Sequence, residues 1–328
     1  MIKANAAGKI IFSGEHAVVY GNPAIATAIN LLATTTIKKT NNKKNFLRLV
    51  NLNYFTYFTI DEVREIKCDV DVRYFQFLKG DVNIKHVLQH PRELLLYIFG
   101  CFIERLNIDF IDESVEIEVL SQIPGGYGMG SSGAIIVSFI KAFNEFFKTN
   151  FSQIEFLDFG REVENLQHGK SSGLDIYLAL NGGCVYFESN NFQNRGMPIA
   201  PIVFVNTGKS CSSTGLCVSA VAKYFTSKPL LDRFRKVTET LDIAFQQNNI
   251  AMIKQCISEN HRLLQEIGIV PARVSNFIAE LEDRKLAAKI SGAGAVCGDN
   301  AGIVLVVGEK DEIADVVAKY GYEIKTLL

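Results

Sequence analysis

The stretch from Ile123 to Gly133, IPGGYGMGSSG, has the residue types and spacing of an anion-binding loop. Five glycines and two serines lie in these eleven residues, and glycine lets successive backbone N–H groups turn toward one point because no Cβ stands in the way. A strand-like alternation at 115–119 precedes the loop, and apolar residues with helical spacing follow it at 135–147. A helix that begins here adds unpaired N–H groups and a partial positive charge, so the pattern predicts a phosphate site, with a flexible turn as the alternative.

Two better-known phosphate motifs do not account for this loop. Gly128, Gly130 and Gly133 match the dinucleotide pattern G-x-G-x-x-G, but residues 122–126 separate them from the strand that should run directly into the first glycine. The GKS run at 169–171 lacks the earlier glycine that a Walker A loop requires. We therefore interpret the loop as a third kind of phosphate cradle.

A charged pair follows the first strand of the chain. Glu15 and His16 come directly after Gly14, between the apolar runs KIIF and AVVY. This placement favours a functional cleft and a solvated surface about equally. Lys9 begins the KIIF run, and its pattern alone indicates an ordinary surface lysine.

Two carboxylates later in the chain are further candidates. Glu164 and His168 are four residues apart in a predicted helix, so they share one face. Asp175 ends the segment HGKSSGLD, where it is either a group that performs chemistry or an ordinary aspartate of a polar turn. Lys209 and the hydroxyls of residues 212–214 follow a strand and can bind a carboxylate or phosphate, or simply cap a helix.

The elements that position these residues follow from hydrophobic periodicity. A capping box, Ser-x-x-Glu at 152–155, starts a helix that extends to about residue 167. The chain closes with a strand, a helix and a strand over 302–328. Together with the strand that precedes the glycine-rich loop at 291–301, these elements fit a ferredoxin-like plait. Residues 61–90 have mixed charge and allow no assignment. Further strands are predicted at 2–13, 182–188 and 201–207, and two more within 46–60 on either side of residues 51–53. Further helices are predicted at 92–106, 216–225, 229–247, 250–267 and 272–284.

Composition indicates a globular chain of two domains, because single cores seldom grow past about 250 residues and this chain has 328. Lys and Arg total 34 and Asp and Glu total 35, which favours neither nucleic acid nor a membrane surface as a partner. The seven cysteines are scattered without a C-x-x-C pair, so we expect reduced thiols. With no signal peptide and no apolar run of about 18 residues, we expect a cytoplasmic protein.

Three stretches together resemble the GHMP kinases over nearly the whole chain. They are AAGKIIFSGEHAVVYG at 6–21, PGGYGMGSSG at 124–133 and KISGAGAVCGDNAG at 289–302. The resemblance implies an α+β, two-domain GHMP kinase fold. Its N-terminal domain, residues 1–185, would resemble ribosomal protein S5 domain 2, and its C-terminal domain, 186–328, would be ferredoxin-like, with ATP between them. Within the family, GEHAVVYG is most similar to the kinases that act on mevalonate.

The resemblance also implies roles for single residues. Asp175 would be the catalytic aspartate, with Lys9 as its partner, and Glu15, His16 and Asp175 would bind the substrate. Ser132 and Glu164 would hold Mg²⁺. ATP would contact Lys9, Pro124, Gly125, Gly126, Tyr127, Gly128, Met129, Gly130, Ser131 and Ser132.

The implied activity is transfer of a phosphoryl group from ATP to the primary hydroxyl of mevalonate, with a homodimer as a possible assembly. The alternatives are a kinase of phosphomevalonate, another GHMP small-molecule kinase, a non-catalytic metabolite-binding protein of this fold, and a nicotinamide dehydrogenase. The chain departs from the family pattern at Ala7, Tyr127, Met129 and Gly133. It also departs in the third motif, where residues 295–302 interrupt the usual glycine run.

Overall fold

The computed structural model describes residues 1–41, 44–107 and 114–328. These residues form two compact units, each assembled from several chain segments. The first unit contains residues 1–7, 31–123 and 132–180, and the second contains residues 8–30, 124–131 and 181–328. Within the described residues, no helix combines the length and the apolar character needed to cross a membrane.

Strands and helices occur in runs along the chain, as expected for the predicted α+β class. The strands are β1 (Ile2–Ser13), β2 (Ala24–Thr40), β3 (Asn45–Leu49), β4 (Tyr54–Phe58), β5 (Ser114–Ser121), β6 (Cys184–Glu188), β7 (Asn191–Arg195), β8 (Ile202–Asn206), β9 (Ala287–Ser291), β10 (Ile303–Val307) and β11 (Glu323–Lys325). The helices are α1 (Ile60–Lys79), α2 (Glu93–Arg105), α3 (Ser131–Phe146), α4 (Gln153–His168), α5 (Leu174–Asn181), α6 (Thr214–Val221), α7 (Lys228–Gln246), α8 (Ile250–Glu266), α9 (Ala272–Asp283) and α10 (Lys310–Tyr320).

The first unit packs helices against a mixed sheet. Strand β5 lies antiparallel to the second half of β2 and parallel to β3, which pairs with β4. The alternation that predicts β5 also sets its faces, because Val115, Ile117 and Val119 are all buried. Helix α3 packs its phenylalanines onto α2, with the rings of Phe99 and Phe143 4.7 Å apart. This apolar packing stabilises the helix that begins at the glycine-rich loop.

Two helices of the first unit carry the predicted carboxylates. The capping box at Ser152 and Glu155 starts α4, as predicted. Helix α5 was not predicted and packs directly on α4, since a Cβ added at Gly160 would lie 2.6 Å from Cγ2 of Ile176. A glycine in mid-helix costs about 1 kcal/mol relative to alanine, and here its missing side chain permits the close approach.

The second unit contains a four-stranded antiparallel sheet in the order β11-β8-β10-β9. In chain order this is strand four, one, three and two, which is the predicted ferredoxin-like plait. Leu305 in β10 lies opposite Phe204 in β8 and Lys289 in β9. Helices α6 to α9 connect β8 to β9, and α10 connects β10 to β11. The first half of β2 pairs with β6, and β6 pairs with β7, within the same unit.

Candidate active site

The glycine-rich loop joins β5 to α3, as the sequence predicts. Gly126, Gly128 and Gly130 have φ angles of 85°, 78° and 69°, in the left-handed region that glycine enters at no steric cost. Pro124, Gly125 and Gly126 are exposed. The loop therefore presents backbone groups to solvent directly before a helix N-terminus, which is the arrangement that binds phosphate.

Backbone contacts within the second unit hold this loop in place. The N–H of Lys9 donates to the carbonyl of Met129 at 2.9 Å, and the N–H of Ser210 donates to the carbonyl of Gly126 at 3.1 Å. A Cβ added at Gly292, where φ is 97°, would lie 2.7 Å from the backbone of Gly128. The third glycine-rich motif thus packs against the phosphate loop. The contact between Gly292 and Gly128 lies before the irregular part of the motif, which begins after Gly294.

Two loop residues that depart from the family pattern are held by their backbone groups. The side chain of Met129 is buried, while its carbonyl accepts from Lys9. The carbonyl of Tyr127 accepts from the N–H of Ile303 at 3.2 Å. Any contribution of Met129 to nucleotide binding therefore depends on its backbone.

Ser132 faces the surface of α4 that carries Glu164. The Oγ of Ser132 lies 3.1 Å from Nε2 of His168. Because Glu164 is one helical turn before His168, it lies on the same face of α4. The carboxylate of Glu164 is buried and accepts a hydrogen bond from the hydroxyl of Ser171. In the first unit, the hydroxyl of Ser132 on α3 therefore faces the side of α4 that carries the carboxylate of Glu164.

Asp175 lies in the first turn of α5, not in a loop as its sequence context indicates. A Cβ added at Gly133 would lie 3.1 Å from Cβ of Asp175, so the two helix starts touch. Ser171 fixes the connection, because its Oγ accepts from the N–H of Gly173 at 3.0 Å while its hydroxyl binds Glu164. The first unit therefore gathers Ser132, Glu164 and Asp175 around the start of α3.

The donor set at this point fits a magnesium ion by its chemistry. Mg²⁺ prefers oxygen ligands and takes few of them from protein, keeping waters and substrate phosphates for the rest. Ser132 supplies a hydroxyl and Glu164 a carboxylate, and the Ser132–His168 bond places both on one side of α4. Across residues 1–41, 44–107 and 114–328, no three His, Cys, Asp or Glu side chains gather as a metal cage, which a magnesium site of this kind does not need.

Glu15 and His16 lie in a tight turn after β1. Gly14 and His16 both have positive φ angles, of 98° and 60°, and a Cβ at Gly14 would lie 2.4 Å from the carbonyl oxygen of Pro23. Glu15 is 1 % exposed and forms an ion pair with Lys289, which is 0 % exposed. The second Glu15 oxygen, Oε2, has no hydrogen-bond partner among the described residues. Glu15 is therefore buried at the base of the turn.

His16 has a defined tautomer in this turn. Its Nε2 lies 3.0 Å from the carbonyl oxygen of Ala293, which can only accept, so Nε2 carries the hydrogen. Burial lowers the pKa of His16 to about 4, with Lys9 acting in the same direction and the Ala293 bond opposing it. The ring is therefore neutral at pH 7, and Nδ1 is a buried acceptor without a partner among the described residues.

A second buried histidine extends this polar region of the second unit. Burial lowers the pKa of His261 in α8 to about 4, and the charges of Lys289 and Arg262 add to the effect. Both histidines thus have folded-state pKa values below the ordinary 6.5. Each stabilises the fold above pH 6.5, and that contribution is lost as the pH falls from 6.5 toward 4.

This pH dependence gives a first prediction. The unfolding free energy of the wild type should decrease between pH 7 and pH 4.5. We expect this decrease to be smaller in His261→Leu by about 2 to 3 kcal/mol, the contribution of one such histidine. Urea unfolding at both pH values measures the change. His86→Leu, at an exposed histidine, should keep the wild-type slope. An unaltered slope in His261→Leu would show that this histidine does not titrate as its burial requires.

The loop after β8 corrects the expectation for two cysteines. Cys211 and Cys297 form a disulfide with Cα atoms 6.4 Å apart, whereas scattered reduced thiols were expected. The two residues are 86 positions apart, so only the folded sheet brings their loops together.

The same loop carries the other predicted binding residues. Lys209 is exposed, and its side-chain carbons would lie 3.1 Å from a Cβ added at Gly126. Ser212 is buried and accepts from the N–H of Val296 at 3.0 Å, while Ser213 caps α6.

Three residues to which the sequence analysis assigned no role contact candidate residues, two of them in the first unit and one in the second. Ser171 connects Glu164 to the segment before Asp175, and His168 binds Ser132. Lys289 forms the ion pair with Glu15. The spacing of Glu164 and His168 did indicate a shared face, but nothing local in the sequence indicates that a lysine 274 residues away pairs with Glu15.

Two family descriptions and several known proteins match this chain. The family description "GHMP kinases N terminal domain" matches residues 93–183, and "GHMP kinases C terminal" matches residues 243–298. A relative from Archaeoglobus fulgidus is 30 % identical over 89 % of this chain and 88 % of its own length. The chain therefore belongs to the GHMP kinase family.

The relatives within that family carry a more specific name. The Archaeoglobus fulgidus protein is a mevalonate kinase, as is a relative from Thermococcus onnurineus that is 29 % identical over 98 % of this chain and 93 % of its own length. The solved structure of the Methanococcus jannaschii mevalonate kinase has the same fold, with a TM-score of 0.76 at 23 % identity, covering 98 % of this chain and 96 % of that one.

Proposed function

We propose that this protein transfers the γ-phosphoryl group of ATP to the primary hydroxyl of mevalonate, giving 5-phosphomevalonate and ADP. The observation that carries the proposal is the gathering of Ser132, Glu164 and Asp175 at the start of α3, where the glycine-rich loop ends. Phosphoryl transfer needs positioning and charge neutralisation more than covalent chemistry, and these groups supply both. The mevalonate kinase relatives support the choice of acceptor.

In the proposed mechanism, Asp175 is the base. The substrate oxygen attacks the γ-phosphorus, the bond between that phosphorus and ADP breaks, and the hydroxyl proton passes to the carboxylate of Asp175. Lys9 is its cationic partner and offsets the charge that develops on the transferring group. The phosphate loop from Pro124 to Ser132 orients the ATP phosphates through backbone N–H groups.

Ser132 and Glu164 are the proposed magnesium ligands. Bound Mg²⁺ would neutralise charge on the ATP phosphates as it develops. The hydrogen bonds from Ser171 to Glu164 and between Ser132 and His168 orient these two side chains. In metal sites such supporting partners contribute strongly to affinity.

His16 is the proposed contact to the acceptor. Because Nε2 donates to Ala293, any bond to the substrate uses Nδ1, which accepts from a hydroxyl and offers nothing to a carboxylate. Glu15, also predicted as a substrate contact, is buried in its ion pair with Lys289, so we propose that it acts by holding the turn that carries His16.

Phosphomevalonate is the leading alternative acceptor. An already phosphorylated substrate needs a dense cationic cluster, whereas the motif stretches contain only Lys9, Lys170, Lys209 and Lys289. Lys289 is neutralised by Glu15, which leaves three lysines in the motif stretches. This charge count favours mevalonate.

Release of ADP with a panel of acceptors tests the proposal. We expect the purified protein with ATP and Mg²⁺ to turn over mevalonate with a higher kcat/KM than phosphomevalonate, galactose or homoserine. Stabilisation by ATP but not by NAD in a thermal shift would separate the kinase from a dehydrogenase. Faster turnover of phosphomevalonate would overturn the acceptor while leaving the kinase assignment in place, and binding of ATP without any turnover would indicate a binding protein.

A variant of His16 tests its place in the acceptor site. We expect His16→Ala to raise KM for mevalonate more than KM for ATP, because the proposed Nδ1 contact is made only to the alcohol. Steady-state kinetics with each substrate varied in turn measures the ratio. His86→Ala, which removes an exposed histidine, is the control. An equal or larger rise in KM for ATP would place His16 on the nucleotide instead.

A further inference from the structure

Lys289 is a fully buried charge to which the proposed mechanism assigns no role. It lies in β9 at the start of the third glycine-rich motif, and its ammonium group contacts the Glu15 carboxylate and the carbonyl oxygen of Ile11, at 3.3 Å from the latter. Two positions along β9, the hydroxyl of Ser291 donates to the same Ile11 carbonyl at 3.1 Å. These bonds connect the third motif to the strand and turn that carry Lys9, Glu15 and His16.

The surroundings of this ion pair are cationic and poorly hydrated. Lys9 is close enough to act electrostatically on both His16 and Lys289, and Lys289 acts on His261. Burial lowers the pKa of Lys289, and the Glu15 carboxylate opposes that change. The Glu15–Lys289 pair carries no net charge whichever atom holds the shared proton, and Lys9 is a further cation that acts on Lys289.

We propose that Lys289 is a positioning residue for phosphoryl transfer, which anchors and neutralises Glu15 so that this carboxylate does not compete for Lys9. A buried carboxylate that loses its partner acquires a new cation or a proton, because an isolated charge is too costly to bury. Lys9, two residues before Ile11 on β1, is a cation close enough to act electrostatically on Lys289, so it is a candidate partner for Glu15 once Lys289 is removed. This inference rests on the proposed function, in which Lys9 acts on the transferring phosphoryl group.

The two sites of the pair allow a double-variant test. Lys289→Met leaves Glu15 charged and unpaired, so we expect kcat to fall at least about tenfold, since small misplacements of a catalytic group cost that much or more. Lys289→Met combined with Glu15→Gln removes both charges, and neutral replacement of a buried pair is often tolerated. We expect kcat of the double variant to be at least about threefold higher than that of Lys289→Met, because no unpaired carboxylate is left to compete for Lys9. A Lys289→Met variant with unchanged kcat, or a double variant as slow as the single one, overturns the proposal.

A second ion pair in the same unit controls for stability. Arg195 and Asp242 are partly buried, with their side chains 17 % and 12 % exposed, and Nε of Arg195 lies 2.6 Å from the Asp242 carboxylate. Arg195→Met leaves Asp242 unpaired and should lower Tm, as Lys289→Met should. Only Lys289→Met should lower kcat per folded molecule. An equal fall in both would indicate a merely structural role for Lys289.

A measurement on Lys9 itself keeps this inference separate from the proposed function. In protein labelled with ¹³C at the lysine Cε, the Lys9 resonance is identified by its loss in Lys9→Arg. We expect this resonance to move in Lys289→Met and to return to its wild-type position in the double variant. If it moves as expected while no acceptor is turned over, the proposed function fails and the positioning stands. If it stays in place in Lys289→Met, the positioning fails even for an active kinase.

Discussion

Asp175→Asn should lower kcat by about 10²- to 10⁴-fold, the usual loss when a general base is removed. Asparagine keeps the shape of the side chain at the start of α5 but cannot accept the hydroxyl proton of the alcohol. We expect ATP binding and Tm to stay close to the wild type, because the close approach to Gly133 involves Cβ, which the change retains. Single-turnover kinetics, with ATP affinity measured separately, distinguishes the loss of chemistry from a loss of binding.

Asp158→Asn is the matched control for this change. Asp158 is exposed on α4 in the same unit, and its substitution should leave kcat unchanged. Near-normal turnover by Asp175→Asn would assign the base to another residue and would contradict the role that the family resemblance gives to this aspartate.

Glu164→Gln should raise the Mg²⁺ concentration needed for half-maximal rate and lower kcat. We expect each change to be at least about tenfold, because even outer partners of metal ligands contribute that much. Glutamine can still accept the Ser171 hydrogen bond, so the segment before Asp175 should keep its conformation. The rate as a function of Mg²⁺ concentration at fixed ATP is the measurement.

Glu162→Gln gives the control for the metal. Glu162 is exposed on the same helix and should show the wild-type dependence on Mg²⁺. If Glu164→Gln shows that same dependence, the metal is held elsewhere and the assignment of Glu164 is wrong.

The local features of the site were predictable from the sequence because they depend on neighbouring residues. The change from an alternating pattern to helical spacing marked β5, the glycine-rich loop and α3, and all three are confirmed. The Ser152–Glu155 capping box likewise marked the start of α4. The ferredoxin-like order of the last sheet followed from the sequence of strands and helices and is also confirmed.

Two helices were not assigned from their periodicity. Helix α1 has apolar residues at helical spacing, Val63, Ile66, Val70, Tyr74 and Phe77, but only Val63 and Val70 are fully buried, and the mixed charge of residues 61–90 obscured the stripe. Helix α5 has eight residues and little amphipathic pattern, which is why Asp175 was expected in a loop. Both helices are stabilised by packing on α2 and α4, and such tertiary contacts override a weak local pattern.

Contacts between residues that are far apart in the sequence could not be predicted from it either. Glu15 was expected to contact substrate directly, and only the folded chain reveals Lys289 beside it. The disulfide between Cys211 and Cys297 has the same origin. The domain division at residues 185 and 186 stays a prediction, as do the roles of the single site residues.

Identification of the reaction product tests the proposed activity most directly. The purified protein is incubated with ATP, Mg²⁺ and mevalonate, and the product is examined by ³¹P NMR with coupling to protons. We predict a phosphomonoester whose phosphorus couples to the two protons of the primary carbon, formed together with one ADP per ester. Formation of a diphosphate from added phosphomevalonate, with no ester from mevalonate, would contradict the account.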